Sequence, residues 1–149
     1  MTRPYALHHS IGYQLTLTSR INERRFEKRL AAIGLSRLKW CILLAVAQEG
    51  LKNPSDIADF VGIDRTATSR ALRQMEASGL VTRQNGKGDR RMTVVMPTEQ
   101  GLAQLTEATE QARRNARYFA TKLSEREQDE LRNILGKLME GETRDVSGL

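Results

Sequence analysis

Thr66, Ser69, Arg70 and Arg73 stand at positions i, i+3, i+4 and i+7 of one unbroken stretch, RTATSRALRQMEAS, and no carboxylate falls among them. On a helix that spacing gathers the four side chains onto one face. Arginine can make a bidentate contact to O6 and N7 of guanine, and a serine or threonine hydroxyl can bond base edges or phosphate oxygens, so the face suits a DNA major groove. Arg65, at the start of the stretch, is placed to reach the phosphate backbone. A solvated helix face that happens to lack acids would carry the same residues, so the flanking elements must decide between the two.

Those elements begin inside the same stretch. Thr68, Ala71, Leu72 and Met75 repeat the helical spacing on another face and form a core stripe. Upstream, NPSDIADFVG has Asn53 as a helix cap, Pro54 in the first turn, Ile57, Ala58 and Val61 on one side, and Gly62 as a stop. Only Gly62, Ile63 and Asp64 separate the two helices, and Asp64 can cap the second. Two helices joined by so short a glycine-containing turn form a helix-turn-helix pattern.

Downstream, LVTR and RMTVVM each predict a short strand, with Met92, Val94 and Met96 alternating on one face, and they flank the loop QNGKGDR. Lys87, Arg90 and Arg91 crowd around its glycines. Charge runs commonly sit at solvated hairpin ends. Directly after a helix-turn-helix, however, the hairpin reads as a wing whose arginine can enter a narrow minor groove, where negative potential is enhanced.

Composition agrees with this placement. The chain has 149 residues, with 24 Lys+Arg against 18 Asp+Glu, which is compatible with a polyanionic partner without requiring one. Residues 1–36 and 37–96 each carry a net charge of +4, whereas residues 97–149 carry −2. The N-terminus shows no uninterrupted apolar run of the kind a signal peptide needs, and the run from Trp40 to Ala47 is too short to span a bilayer. A single cysteine, Cys41, permits no internal disulfide. A cytoplasmic protein with no membrane partner is expected.

Other functional classes find little support. There is no glycine-rich phosphate loop, no His-x-x-x-His or Cys-x-x-Cys spacing and no evident histidine partner for a nucleophile, so neither an enzyme nor a cofactor is implied. His8 and His9 are adjacent and point about 100° apart on a helix, a poor metal pair. The basic face has no aromatic residue on which RNA bases could stack. Cys41 sits among Trp40, Ile42, Leu43 and Leu44, which predicts burial without a nearby cation and therefore an unreactive thiol.

The flanks are helical. A long helix is expected from about Tyr5 to Ala32, ending near Gly34, followed by a helix capped by Ser36 that runs through the apolar segment to Gln48 and stops at Gly50. Thr98 can cap a long helix carrying Leu102, Leu105, Ala112, Ala116, Phe119 and Leu123. SERE at 124–127 is a capping-box sequence opening a last helix with the stripe Leu131, Ile134, Leu135 and Leu138. Both stripes need cover, either from each other or from a second copy of the chain.

The run from Ser55 to Gly101 resembles the winged helix-turn-helix core of the MarR family of bacterial transcription regulators. Ile57-Ala58 matches the family's apolar-alanine pair, Arg65 to Ser78 its recognition helix, Gly79-Leu80-Val81 its Gly-Leu-Val step and Asp89-Arg90-Arg91 its wing signature; Pro97-Thr98 stands where Leu-Thr is usual. The resemblance implies a single domain over 1–149, mainly α with a small β-hairpin wing. Its winged helix-turn-helix, 36–97, would be flanked by dimerisation helices at 1–34 and 98–141.

It further implies that Thr66, Ser69, Arg70 and Arg73 enter the major groove, that Arg90 or Arg91 reaches the minor groove, and that Asp89 braces the wing arginine. Ser55, near a helix N-terminus, would meet a phosphate. The expected partners are double-stranded DNA, a second copy of the chain, and a small aromatic or anionic effector held between the dimerising helices and the winged region, for which Tyr13, Arg20 and Trp40 are candidate lining residues. Repression is the expected sense of regulation. The alternative is a winged-helix module that uses its basic face to dock an acidic protein.

Overall fold

The computed structural model describes residues 1–86 and 92–144. Its helices are α1 (Ile11–Ala31), α2 (Arg37–Leu43, extended by a wider turn over Leu44–Gln48), α3 (Pro54–Val61), α4 (Arg65–Ala77), α5 (Glu99–Ala120) and α6 (Glu125–Met139). Strands β1 (Val81–Asn85) and β2 (Thr93–Pro97) pair antiparallel, from Val81 opposite Pro97 to Asn85 opposite Thr93.

Helix starts follow local side-chain chemistry. The side chains of Ser36, Asn53, Asp64, Thr98 and Ser124 each accept a hydrogen bond from a backbone N–H of the first turn they cap, and Ser124 forms a full capping box with Glu127. One start differs from expectation. The N-terminal segment is not a continuous helix from Tyr5: Leu7–His9 makes a single 3₁₀ turn, and extended Ser10 then accepts from the Tyr13 N–H at 3.2 Å, so α1 begins at Ile11. A serine that can satisfy a free N–H from outside the helix competes with continuation through it.

The core is built around the helix-turn-helix. Ile42, Leu43 and Ala45 from α2 and its extension, Ile57 from α3, Leu72 and Met75 from α4, and Val81 and Val95 from the hairpin are all buried. The face shared by Met92, Val94 and Met96 is the outer one: Val95 lies in the core, whereas Met92 and Met96 are exposed. The register is decided by a contact that strand alternation does not contain, the Val95 N–H donating to Lys52 O at 2.9 Å, which ties the hairpin to the segment before α3.

The hairpin also anchors α5. Thr98 Oγ1 donates to Gly79 O while accepting from Gly101 N–H, and Gly101 passes so close to β1 that a Cβ there would lie 2.1 Å from Leu80 O. Farther along, Gln104 donates to Ile33 O at 2.7 Å, joining α5 to the end of α1.

Candidate nucleic-acid interface and effector cleft

Local capping positions α4. Gly62 adopts φ +82°, which turns the chain sharply after α3, and Asp64 Oδ1 accepts from Ala67 N–H at 2.7 Å to start α4. With Thr68, Ala71, Leu72 and Met75 buried, the opposite side of α4 faces out. Arg65, Thr66, Arg70 and Arg73 are exposed there, and Ser69 is half-buried. Arg73 rests against Ser69 Oγ at 3.4 Å, a long contact that leaves the guanidinium easily redirected.

The one carboxylate on α4 is Glu76, and its position went unnoticed in the sequence. It accepts from both the backbone N–H and the guanidinium of Arg83, each at 3.0 Å, so it clips β1 to α4. The Arg83 side-chain hydrogen bond holds the Glu76 carboxyl below the usual carboxylate range, against a smaller opposing effect of desolvation. Glu76 therefore stays ionised while its charge is met by Arg83. The stabilisation is present above the ordinary carboxylate pKa and fades as pH falls through the lowered value.

Ser55 sits half-buried near the start of α3, but its N–H already donates to Asn53 Oδ1 at 2.7 Å. Only its hydroxyl is left to meet an anion, rather than the free N–H expected from its place in the helix. Lys87, Asp89, Arg90 and Arg91 lie outside the described residues.

A cleft of about 900 Å³ opens between α1, α2, α5 and α6. Its inner wall carries Phe26, Trp40 and Asn115; exposed Ile11, Leu15 and Leu131 line its mouth. Trp40, a candidate from the sequence, lines it, packing edge-on to Phe26 with ring centres 5.1 Å apart and donating its indole N–H to Thr109 at 3.2 Å. Tyr13 and Arg20 are not among the lining residues: Tyr13 packs against His8, and Arg20 is exposed. Phe26, Arg37 and Asn115 were missed, because they come from three helices and no local spacing relates them.

Cys41 is half-buried, and desolvation raises its thiol pKa, as its apolar neighbours implied. The expected absence of a cation does not hold: Arg37, one turn earlier on α2, partly offsets the rise. Among the described residues no group of histidine, cysteine and carboxylate side chains could hold a metal, and no helix is long and apolar enough to cross a membrane.

Two short helices at a tight turn, the second with a polar outer face, followed at once by an antiparallel hairpin, define a winged helix-turn-helix protein. A model of the MarR family matches residues 33–92. The chain is 30% identical over 128 residues to the uncharacterized HTH-type transcriptional regulator YdgJ of Bacillus subtilis, spanning 86% of this chain and 76% of that protein. Among solved structures, BpsR of Bordetella bronchiseptica superposes with a TM-score of 0.84 at 19% identity, covering 94% of this chain and 100% of the other. A mutant MarR from E. coli complexed with operator DNA superposes with a TM-score of 0.80 at 18% identity, covering 87% and 93%. The chain belongs to the MarR family: it is a DNA-binding transcription regulator, not an enzyme.

Proposed function

We propose that the protein is a homodimeric repressor that reads a palindromic operator and is released from it by a small molecule. The observation that carries the reading is the outer face of α4, where Thr66, Arg70 and Arg73 are exposed beside Ser69 and the only carboxylate of the helix is engaged by Arg83. In this reading those four side chains enter the major groove, while Arg65 and the Ser55 hydroxyl contact phosphates. Lys87 and Arg90 or Arg91 extend the contact to the flanking minor groove, with Asp89 bracing the arginine.

One recognition helix reads only a few base pairs, so specificity calls for two, on half-sites about 34–36 Å apart. Apolar side chains left uncovered in a single chain support the second copy. Among the described residues no side chain of α6 is buried, and Ile134 and Leu138 are 53% and 52% exposed. On α1, Ile11 is 69% exposed, with Leu15, Leu17 and Ile21 also uncovered. A symmetric partner packing α1, α5 and α6 against their mates would cover them. The pair would then occlude the DNA it occupies, in the cytoplasm.

The cleft between α1, α2, α5 and α6 is the proposed effector site. The DNA binding of BpsR is regulated by 6-hydroxynicotinic acid, and an aromatic molecule of that size fits a cavity walled by Phe26 and Trp40. An effector acts by favouring one spacing of the two recognition helices over another.

The test is selection of bound sequences from a random DNA pool, followed by salt titration on the selected and a scrambled sequence. A palindromic winner with a large affinity gap over scrambled DNA is expected. Weak binding of both along one salt slope would reject sequence-specific reading and favour an acidic protein as the partner of the basic face.

A further inference from the structure

The hairpin is gripped at one rung from both sides. Arg83 of β1 stands opposite Val95 of β2, and the Val95 N–H turns away from β1 to donate to Lys52 O at 2.9 Å. In an antiparallel ladder such a pair exchanges no hydrogen bonds, so the Arg83 N–H also points away from its partner strand, off the outer edge of a two-stranded sheet. An edge N–H at such a place has no strand to pair with. Here it meets Glu76 of α4: Oε2 accepts from the Arg83 N–H and Oε1 from the Arg83 guanidinium, each at 3.0 Å. One carboxylate holds both the backbone and the side chain of the same residue, and this two-point, charge-assisted contact resists pivoting as a single bond does not.

Glu76 otherwise stands where a carboxylate is unfavourable. It lies in the last turn of α4, whereas the helix dipole favours acids in the first. It follows Arg73 by three residues, the spacing of a helical ion pair. Among the described residues, however, Arg73 makes no ion pair; it touches Ser69 Oγ, while Glu76 is engaged by Arg83. A negative charge on a DNA-facing helix also repels phosphate.

We infer that Glu76 is a positioning residue for DNA reading: by holding β1 at Arg83 it sets the offset between α4 and the wing, and so which flanking base pairs are read together with those under α4. The inference rests on the proposed operator reading and adds the device that joins its two parts. With the hairpin tied to Lys52 on one edge and to Glu76 on the other, the wing moves with α4 as one body. Seating α4 in its groove then places the wing over a defined step of the flank. Released from Glu76, β1 keeps its ladder to β2 and its turn at Gly79, φ +78°, but can pivot about that turn. Contacts to the flank are then averaged over several steps, while those made by α4 itself persist.

The full-length protein and the variants Glu76→Ala and Glu76→Gln are titrated by fluorescence anisotropy against the selected operator, operators altered under α4 and operators altered at the flanks. The unmodified protein should discriminate against a flank change by about tenfold, within the range for one mismatched base pair. Glu76→Ala should bring that ratio close to one and keep the discrimination under α4. Glu76→Gln, whose amide oxygen can still accept from the Arg83 N–H, should retain most of the flank preference. Loss of a charge alone would tighten binding to every operator alike, and damage to folding would weaken it to every operator alike. Either uniform change with flank preference intact in Glu76→Ala would overturn the inference, as would an unmodified protein that discriminates under α4 but not at the flanks.

A second measurement needs neither DNA nor a variant. Hydrogen exchange of the Arg83 amide in the unmodified protein should be slowed as the amides within the β1–β2 ladder are. Exchange at the rate of a free amide would overturn the inference even if Glu76→Ala did not fold. Absence of any preferred sequence for the unmodified protein would reject operator reading and this role with it, whereas an operator whose flank preference survives in Glu76→Ala rejects the role of Glu76 alone.

Discussion

At the scale of single residues, the groove assignments make distinct predictions for the helix and the wing. Arg73→Ala is expected to cost about 1–3 kcal/mol on the selected operator and to relax base preference, as loss of a base-edge contact does. Arg90→Ala or Arg91→Ala should weaken binding with a smaller change in preference; anisotropy titrations against a panel of single-base operator variants separate these outcomes. Identical binding by all three variants and the unmodified protein would reject the assignments. A second prediction concerns Cys41. Desolvation outweighs the pull of Arg37 and raises the thiol pKa, so at neutral pH little thiolate is present, and modification by a disulfide reagent should be much slower than for a free cysteine and accelerate as pH rises. Fast stoichiometric modification of the native protein at neutral pH would show a reactive thiol. The polar face of α4 was legible at this scale because helical spacing alone sorts Thr66, Ser69, Arg70 and Arg73 from the stripe Thr68, Ala71, Leu72 and Met75. Glu76 was not, since its partner Arg83 lies beyond the turn at Gly79 and the pairing depends on how β1 folds back on α4.

At the scale of elements, the joint between wing and α5 is the most constrained point of the fold. Gly101 is buried with no room for a side chain, its missing Cβ lying 2.1 Å from where Leu80 O stands. Gly101→Ala must push α5 away from β1 and should destabilise the protein by about 1–3 kcal/mol, a cost of overpacking that exceeds the gain in helix propensity. Urea denaturation measures it; an unchanged midpoint would mean that α5 can shift freely. Helix starts were readable to within a residue or two at Asn53, Asp64, Thr98 and Ser124, where a capping side chain stands at the end of a loop. They failed at the N-terminus, where Ser10 interrupts a segment whose apolar spacing continues through it. The inward face of β2 was not legible for a related reason: both Val94 and Val95 are apolar, so alternation alone could not say which points inward, and the bond from Val95 to Lys52 fixes the strand against the segment before α3.

For the whole molecule, the uncovered faces of α1 and α6 carry the proposed dimer. Replacing Leu131 and Ile134 together by lysine should shift the protein from dimer to monomer in sedimentation equilibrium. Both residues are already exposed in the single chain, so the helical content should survive, while operator affinity falls because one recognition helix must act alone. Retention of the dimer would place the interface elsewhere. Charge follows the same division, with positive charge concentrated in the first two thirds of the sequence and a net negative C-terminal third.

The amino-acid sequence by itself determined the order of helices and hairpin, the polar face of α4 and the membership in a regulator family, because each depends on residues a few positions apart: caps, turns and one helical period. The tertiary structure alone decided the cleft, where Phe26, Trp40 and Asn115 meet from three helices. It also decided which valine enters the core and where Glu76 spends its charge. Burial and pairing of that kind are properties of distances between segments far apart in the chain, and no spacing along the chain encodes them.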